Sequence, residues 1–152
     1  MTVRVQTADF DVATELAAIR TASADVGAVV SFIGQVRDIN DGDTVKTLTL
    51  EHYPGMTERA LEQIETEAKS RWDILNSLII HRVGTLKPLD QIVLVAVSSA
   101  HRGEAFKACE FMMDYLKTQA PFWKKESTPD GERWVEAKSS DDQAQSRWNN
   151  HD

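Results

Sequence analysis

Segments with strand character stand next to one another in this chain as often as they stand next to helices, and this ordering constrains the fold most. An apolar run, Ala28-Val29-Val30-Ser31-Phe32-Ile33, follows Gly27 and reads as a buried strand ending near Arg37. The stretch from Val45 to Tyr53 alternates as a second strand and is stopped by Pro54-Gly55. A second pair, Leu78 to Val83 and Ile92 to Ser98, is joined through the turn Lys87-Pro88-Leu89-Asp90. A short strand over Arg133 to Ala137 follows the turn Pro129-Asp130-Gly131. The segment from Asp38 to Asp43 is rich in Asp, Asn and Gly and reads as an exposed loop.

Three helices separate these strands. Asp11 is placed to cap the first, with Val12, Leu16 and Ile19 on one face. Thr57 is read as the N-cap of the second, with Glu58 in the first turn and a stripe of Ala60, Leu61, Ile64, Ala68 and Trp72. The third runs from about Arg102 to Lys117. Its buried side uses Ala105, Cys109, Met112 and Leu116, with Phe106 and Met113 beside them, and Pro121 prevents its continuation. The order α-β-β-α-β-β-α-β predicts an α+β domain, with a mixed or antiparallel sheet flanked by helices, over residues 1–138. Residues 139–152 read as a polar, mobile tail in which Trp148 alone has reason to dock.

Composition excludes several functions. A net charge of -7 argues against a broad nucleic-acid surface but leaves room for a local anion site. The single cysteine, Cys109, excludes an internal disulfide and a Cys-rich metal site, and its apolar neighbours place it in the core. His52 and His81 share no metal-ligand spacing, so no metal is expected. No apolar run is long enough to cross a bilayer, and a reducing cytoplasmic setting is the simplest expectation. There is no GxGxxG, P-loop or GxSxG motif.

The candidate chemistry clusters in a few places. Between Tyr115 and Lys125 there is no acidic residue, while Lys117, Lys124 and Lys125 all fall there around Pro121. A bend at Pro121 that turns Lys117 and Lys124 toward one point would make each disfavour the other's charge, which suits a lysine to acid, base or nucleophilic work. The plain alternative is dipole-complementing lysines with Phe122 and Trp123 closing the core, and on these residues alone it is the commoner case. His101 and Arg102 stand at a strand-to-helix junction, where free N–H groups and an Arg fork attract anions; a capping His beside a surface Arg is the plain alternative and again the commoner case. Arg37 lies beside Gly34, which is either a point of close approach or a bulge.

Taken together, Leu50-Glu51-His52-Tyr53-Pro54-Gly55-Met56-Thr57, Ser99-Ala100-His101-Arg102, Met113-Asp114-Tyr115-Leu116-Lys117 and Ala120-Pro121-Phe122-Trp123-Lys124-Lys125-Glu126 resemble the signature blocks of the MoaE family, the large subunits of molybdopterin synthase. Gly131 to Ala137 is similar as well, and the resemblance runs from about Gly27 to Ala137. It implies a MoaE-like fold of alpha/beta-hammerhead type and a sulfurtransferase of molybdenum cofactor biosynthesis. The implied substrate is cyclic pyranopterin monophosphate. The implied sulfur source is a small ubiquitin-like subunit whose Gly-Gly tail ends in a thiocarboxylate. The large subunits are implied to form a homodimer within a heterotetramer, with no cofactor. By motif matching, Lys117 and Lys124 are implied to be catalytic. Lys117 would contact the thiocarboxylate or act as acid and base, and Lys124 would assist proton transfer or hold the phosphate. Gln35, Val36, Arg37, His101, Arg102, Lys125 and Glu126 are implied to bind substrate. Lys138 falls where some relatives carry an arginine that reaches across the dimer. The competing expectation is a non-catalytic module that captures a protein tail or a nucleotide without turning it over.

Overall fold

The computed structural model describes residues 2–40, 43–44, 46–135 and 139–149. The first sheet has the order β1-β6-β8-β2, built from Thr2–Gln6, Asn76–Arg82, Gln91–Ser99 and Ala28–Gln35. β1 pairs with β6 in parallel, and the other two pairings are antiparallel, so the sheet is mixed. The second sheet has the order β10-β9-β5-β7, from Gly131–Val135, Phe122–Thr128, Thr47–His52 and Gly84–Leu86, and is antiparallel throughout.

β6 and β8 are buried along most of their length because both faces of the first sheet are covered. Helix α1 (Val12–Thr21) lies on one face, where Phe10 and Ile19 meet Leu78, Ile80, Leu94 and Ala96. Helices α2 (Met56–Arg71) and α3 (Arg102–Gln119) cover the other, packing Leu61, Ile64, Phe111 and Met112 on Ile79, Val93, Val95 and Val97. A third apolar group, Val36, Leu48, Leu50, Val83 and Leu86, underlies the second sheet, with Phe122 and Ile92 packed against it. Those two residues also belong to the main core, so the sheets share one interior.

Asp11 caps α1 by accepting from the Thr14 N–H, and the first-helix stripe packs as expected. Several expectations are corrected. Gly55, at φ 85°, is the N-cap of α2, and Glu58 accepts the Gly55 N–H at 2.9 Å. Thr57 instead lies inside the helix and is fully buried. The loop read from Asp38 to Asp43 contains a small hairpin, β3 (Ile39–Asn40) with β4 (Asp43–Thr44). The first residue assigned to the second strand, Val45, lies outside the described residues. Phe106 points to solvent and is 60% exposed, whereas Met113 is buried.

Besides that hairpin, three strands escaped the sequence reading, β1, β7 and β9. β9 is polar because its partners on both sides, β5 and β10, supply the order that an apolar run would otherwise signal. Within the segment read as a tail, residues 139–146 form helix α4. The Trp148 ring packs edge-on against Trp72 and Phe111, and its indole N–H donates to Asp114 at 2.7 Å.

Candidate active site

One hydroxyl ties the Pro121 bend to the start of α2. Thr57 donates to the Pro121 carbonyl at 3.0 Å and accepts the Tyr53 N–H at 3.0 Å. This ties the start of α2 to the link between α3 and β9, and it fixes the last turn of α3, which carries Lys117, relative to β9, which carries Lys124.

Between those elements sits His81, on the inner face of β6. Its ring is buried, stacks on Phe122 at 3.8 Å between centroids, and its Nδ1 lies 2.8 Å from the Arg82 carbonyl oxygen. Burial pushes its pKa down to about 3, and the positive charges of Lys117, Lys124 and His52 push in the same direction. The structure therefore brings both lysines, with His52, to within electrostatic reach of one buried, neutral imidazole. The sequence reading had set the two histidines aside because they lack metal spacing. The available signal was a histidine directly after the apolar run Leu78-Ile79-Ile80.

Strand alternation sorts the neighbouring residues. Phe122, Lys124 and Glu126 share one face of β9, and Trp123 and Lys125 the other. Lys124 is paired across the sheet with Leu50 and Val135. Lys125 is thus turned away from Lys124; its ammonium lies 3.5 Å from Glu132 and 5.5 Å from the Trp134 ring centre. Glu126 is buried, 3.7 Å from Arg133.

Gln35, Val36 and Arg37 lie at the exit of β2. The register shifts between Gly34 and Gln35, so Gly34 belongs to a bulge. A Cβ there would come within 2.9 Å of Val93. Val36 is buried, while Gln35 and Arg37 line an open concavity of about 510 Å³ with Asp38, Pro88 and Leu89. Because β2, β6 and β8 are antiparallel neighbours, Gln35 and His81 sit at the same end of the sheet, opposite Gln91 and Val93. α3 returns along the sheet and delivers Lys117 to that end.

His101 and Arg102 lie at the other end. His101 is the N-cap of α3, its N–H donating to Ser99 Oγ at 3.3 Å, and both side chains are exposed. Fifteen residues of helix separate Arg102 from Lys117, about 22 Å along the axis. The structure does not bring His101 and Arg102 to the lysines within one chain. Lys138 lies outside the described residues.

An α+β domain that gathers two lysines and two histidines where a helix C-terminus meets a strand, with an arginine-lined concavity at the same sheet end, concentrates positive charge of the kind that suits an anionic ligand. Comparison with known proteins gives the family. The profile of the MoaE protein family matches residues 5–119, and the chain belongs to that family. It is 63% identical over 147 residues, 97% of this chain and 84% of the relative, to a molybdopterin synthase catalytic subunit from Ralstonia nicotianae. Among solved structures it superposes on a molybdopterin biosynthesis MoaE protein from Burkholderia ambifaria with TM-score 0.84 and 58% identity, over 99% of both chains. A molybdopterin synthase from Staphylococcus aureus gives TM-score 0.80 at 36% identity, covering 88% of this chain and 96% of that one. At 19% identity the fold alone is shared with a chain from a complex of subunits 1 and 2 of molybdopterin-converting factor from Helicobacter pylori, TM-score 0.74 over 90% and 92% of the two chains.

Proposed function

We propose that this chain moves sulfur from the C-terminal thiocarboxylate of a small ubiquitin-like carrier onto cyclic pyranopterin monophosphate, building the dithiolene of molybdopterin in the cytoplasm. The observation that carries the reading is the convergence of Lys117 and Lys124 on the buried, neutral His81. Two anions, a phosphate and a thiocarboxylate, must be brought together, and fixed positive charge offsets their repulsion without reorganisation during the reaction. Lys117, exposed at the end of α3, meets the incoming thiocarboxylate. Lys124, half-buried on β9, moves the proton at the carbon that accepts sulfur.

The substrate's phosphate needs more cation than one end of one chain supplies, and the homodimer provides it. β2 is an edge strand with half-exposed Phe32 and Ile33. An isologous two-fold pairing through this edge runs the two β2 strands antiparallel. Arg37 of one subunit then lies at the end where the partner carries His101 and Arg102. Lys125, Glu126 and Lys138 are proposed as substrate contacts on motif grounds alone.

The test is single-turnover dithiolene formation with thiocarboxylated carrier. Lys117→Ala is expected to lower the rate at least about a hundredfold, the scale of one lost acid–base group, with folding intact. A rate near wild type removes Lys117 from the chemistry, and absence of product from wild type itself leaves only a capture module.

A further inference from the structure

The turn Lys87-Pro88-Leu89-Asp90 closes with the Asp90 N–H donating to the Lys87 carbonyl at 3.0 Å, and Leu89 has φ 75°. Proline second, positive φ third and an i to i+3 bond describe a type II turn, whose third position favours glycine or asparagine. A leucine there is strained by its Cβ. The turn cannot relax. Leu89 N–H donates to the Val36 carbonyl at 2.8 Å, Val36 N–H donates to the Asp90 carbonyl at 2.9 Å, and the Asp90 carboxylate accepts the Lys87 N–H at 2.9 Å. Leu89 gains nothing from the core either, since it is 77% exposed. Leu89 is the sole non-glycine residue of positive φ among the described residues.

Its side chain lines the concavity that also holds Gln35, Arg37 and Asp38. We propose that Leu89 is a specificity residue for the pterin precursor, the apolar wall on which the fused heterocycle lies flat while polar groups opposite read its edge and its anionic substituent. The chemistry of the lining matches such a ligand. Pro88 and Leu89 supply an apolar surface, Gln35 and Asp38 accept ring N–H groups, and Arg37 suits an anionic oxygen. Ligand contact is what offsets a strained backbone and an exposed apolar side chain at one position.

This inference rests on the sulfur-transfer reading, and the experiment separates the two. Steady-state kinetics are measured for wild type, Leu89→Gly and Leu89→Met, varying precursor at saturating carrier and then carrier at saturating precursor. Leu89→Gly relieves the strain, so its Tm rises. Its KM for precursor nevertheless rises about tenfold, the scale of one apolar contact, while kcat and the carrier KM stay within about twofold. Leu89→Met keeps the wild-type precursor KM. An unchanged precursor KM in Leu89→Gly overturns the assignment, as does a change confined to the carrier KM, which would make Leu89 a protein-docking residue. Failure of wild type to form dithiolene sinks the sulfur-transfer reading instead.

Discussion

His81 and Glu65 are buried groups with opposite acid–base consequences. His81 is held at about 3, below its ordinary 6.5, by burial first and by nearby cations second. The unfolded chain therefore binds the extra proton between those values, and this contribution to stability is lost as pH falls from about 6.5 toward 3. Glu65, on α2, accepts from Ser77 on β6 at 2.6 Å, and burial raises its pKa from 4.5 to about 7. Here the folded state holds the proton, so the contribution is complete below about 4.5 and is lost as pH rises through 7. Glu65→Gln keeps an oxygen for the Ser77 hydroxyl and cannot ionise. Measured by denaturant unfolding, it should be more stable than wild type at pH 8, by on the order of 2 kcal/mol, and show no such gain at pH 4. His81→Gln should flatten the acid limb only. Equal pH profiles for wild type and both variants would contradict these assignments. The Cys109 thiol is pushed up to about 12 by burial and stays unreactive, as its core position implies.

Among the elements, the join between α2, α3 and β9 decides the site. Thr57→Val preserves shape and removes the hydroxyl, leaving the Pro121 carbonyl and the Tyr53 N–H without their partner. The expected cost is about 1–3 kcal/mol, with a drop in kcat beyond what the lost stability explains, because Lys117 and Lys124 lose their common frame. Wild-type kcat in a folded Thr57→Val protein would show that the tie is dispensable. Helix spacing was legible in the sequence: Asp11, Leu61, Ile64, Met112 and Leu116 fall where their periodicity places them. β9 was not legible, because Lys124, Lys125 and Glu126 carry no apolar alternation and their strand is imposed by pairing on both sides. Thr57 was misplaced by two residues because a threonine before a helix resembles a cap, whereas a glycine at positive φ performs that role here.

At the scale of the molecule, the separation of Lys117 from His101 and Arg102 by the length of α3 makes a strong prediction about assembly. Mix Lys117→Ala subunits with Arg102→Glu subunits, each inactive alone. If each site spans two chains, half of the random dimers carry one site free of both substitutions, and about a quarter of wild-type activity returns. No recovery would place each site within one chain. The lysine block and the His101-Arg102 pair were both visible in the sequence, but their distance was not, since helix length is local and the return path of α3 along β8 is tertiary. The roles of Val36 and Glu126, both buried, were likewise hidden by motifs that do not state which way a side chain turns.

The strand β1 has a consequence of another kind. Thr2 lies beside Leu78, so β1, made well before β6, finds its place only after β6 has left the ribosome. Until then the apolar β6 lacks the neighbour that covers its outer border, and an uncovered strand of that composition invites pairing with another chain. Extensions fused to the amino terminus that slow this late closure should therefore lower soluble yield more than equal extensions at the carboxyl terminus.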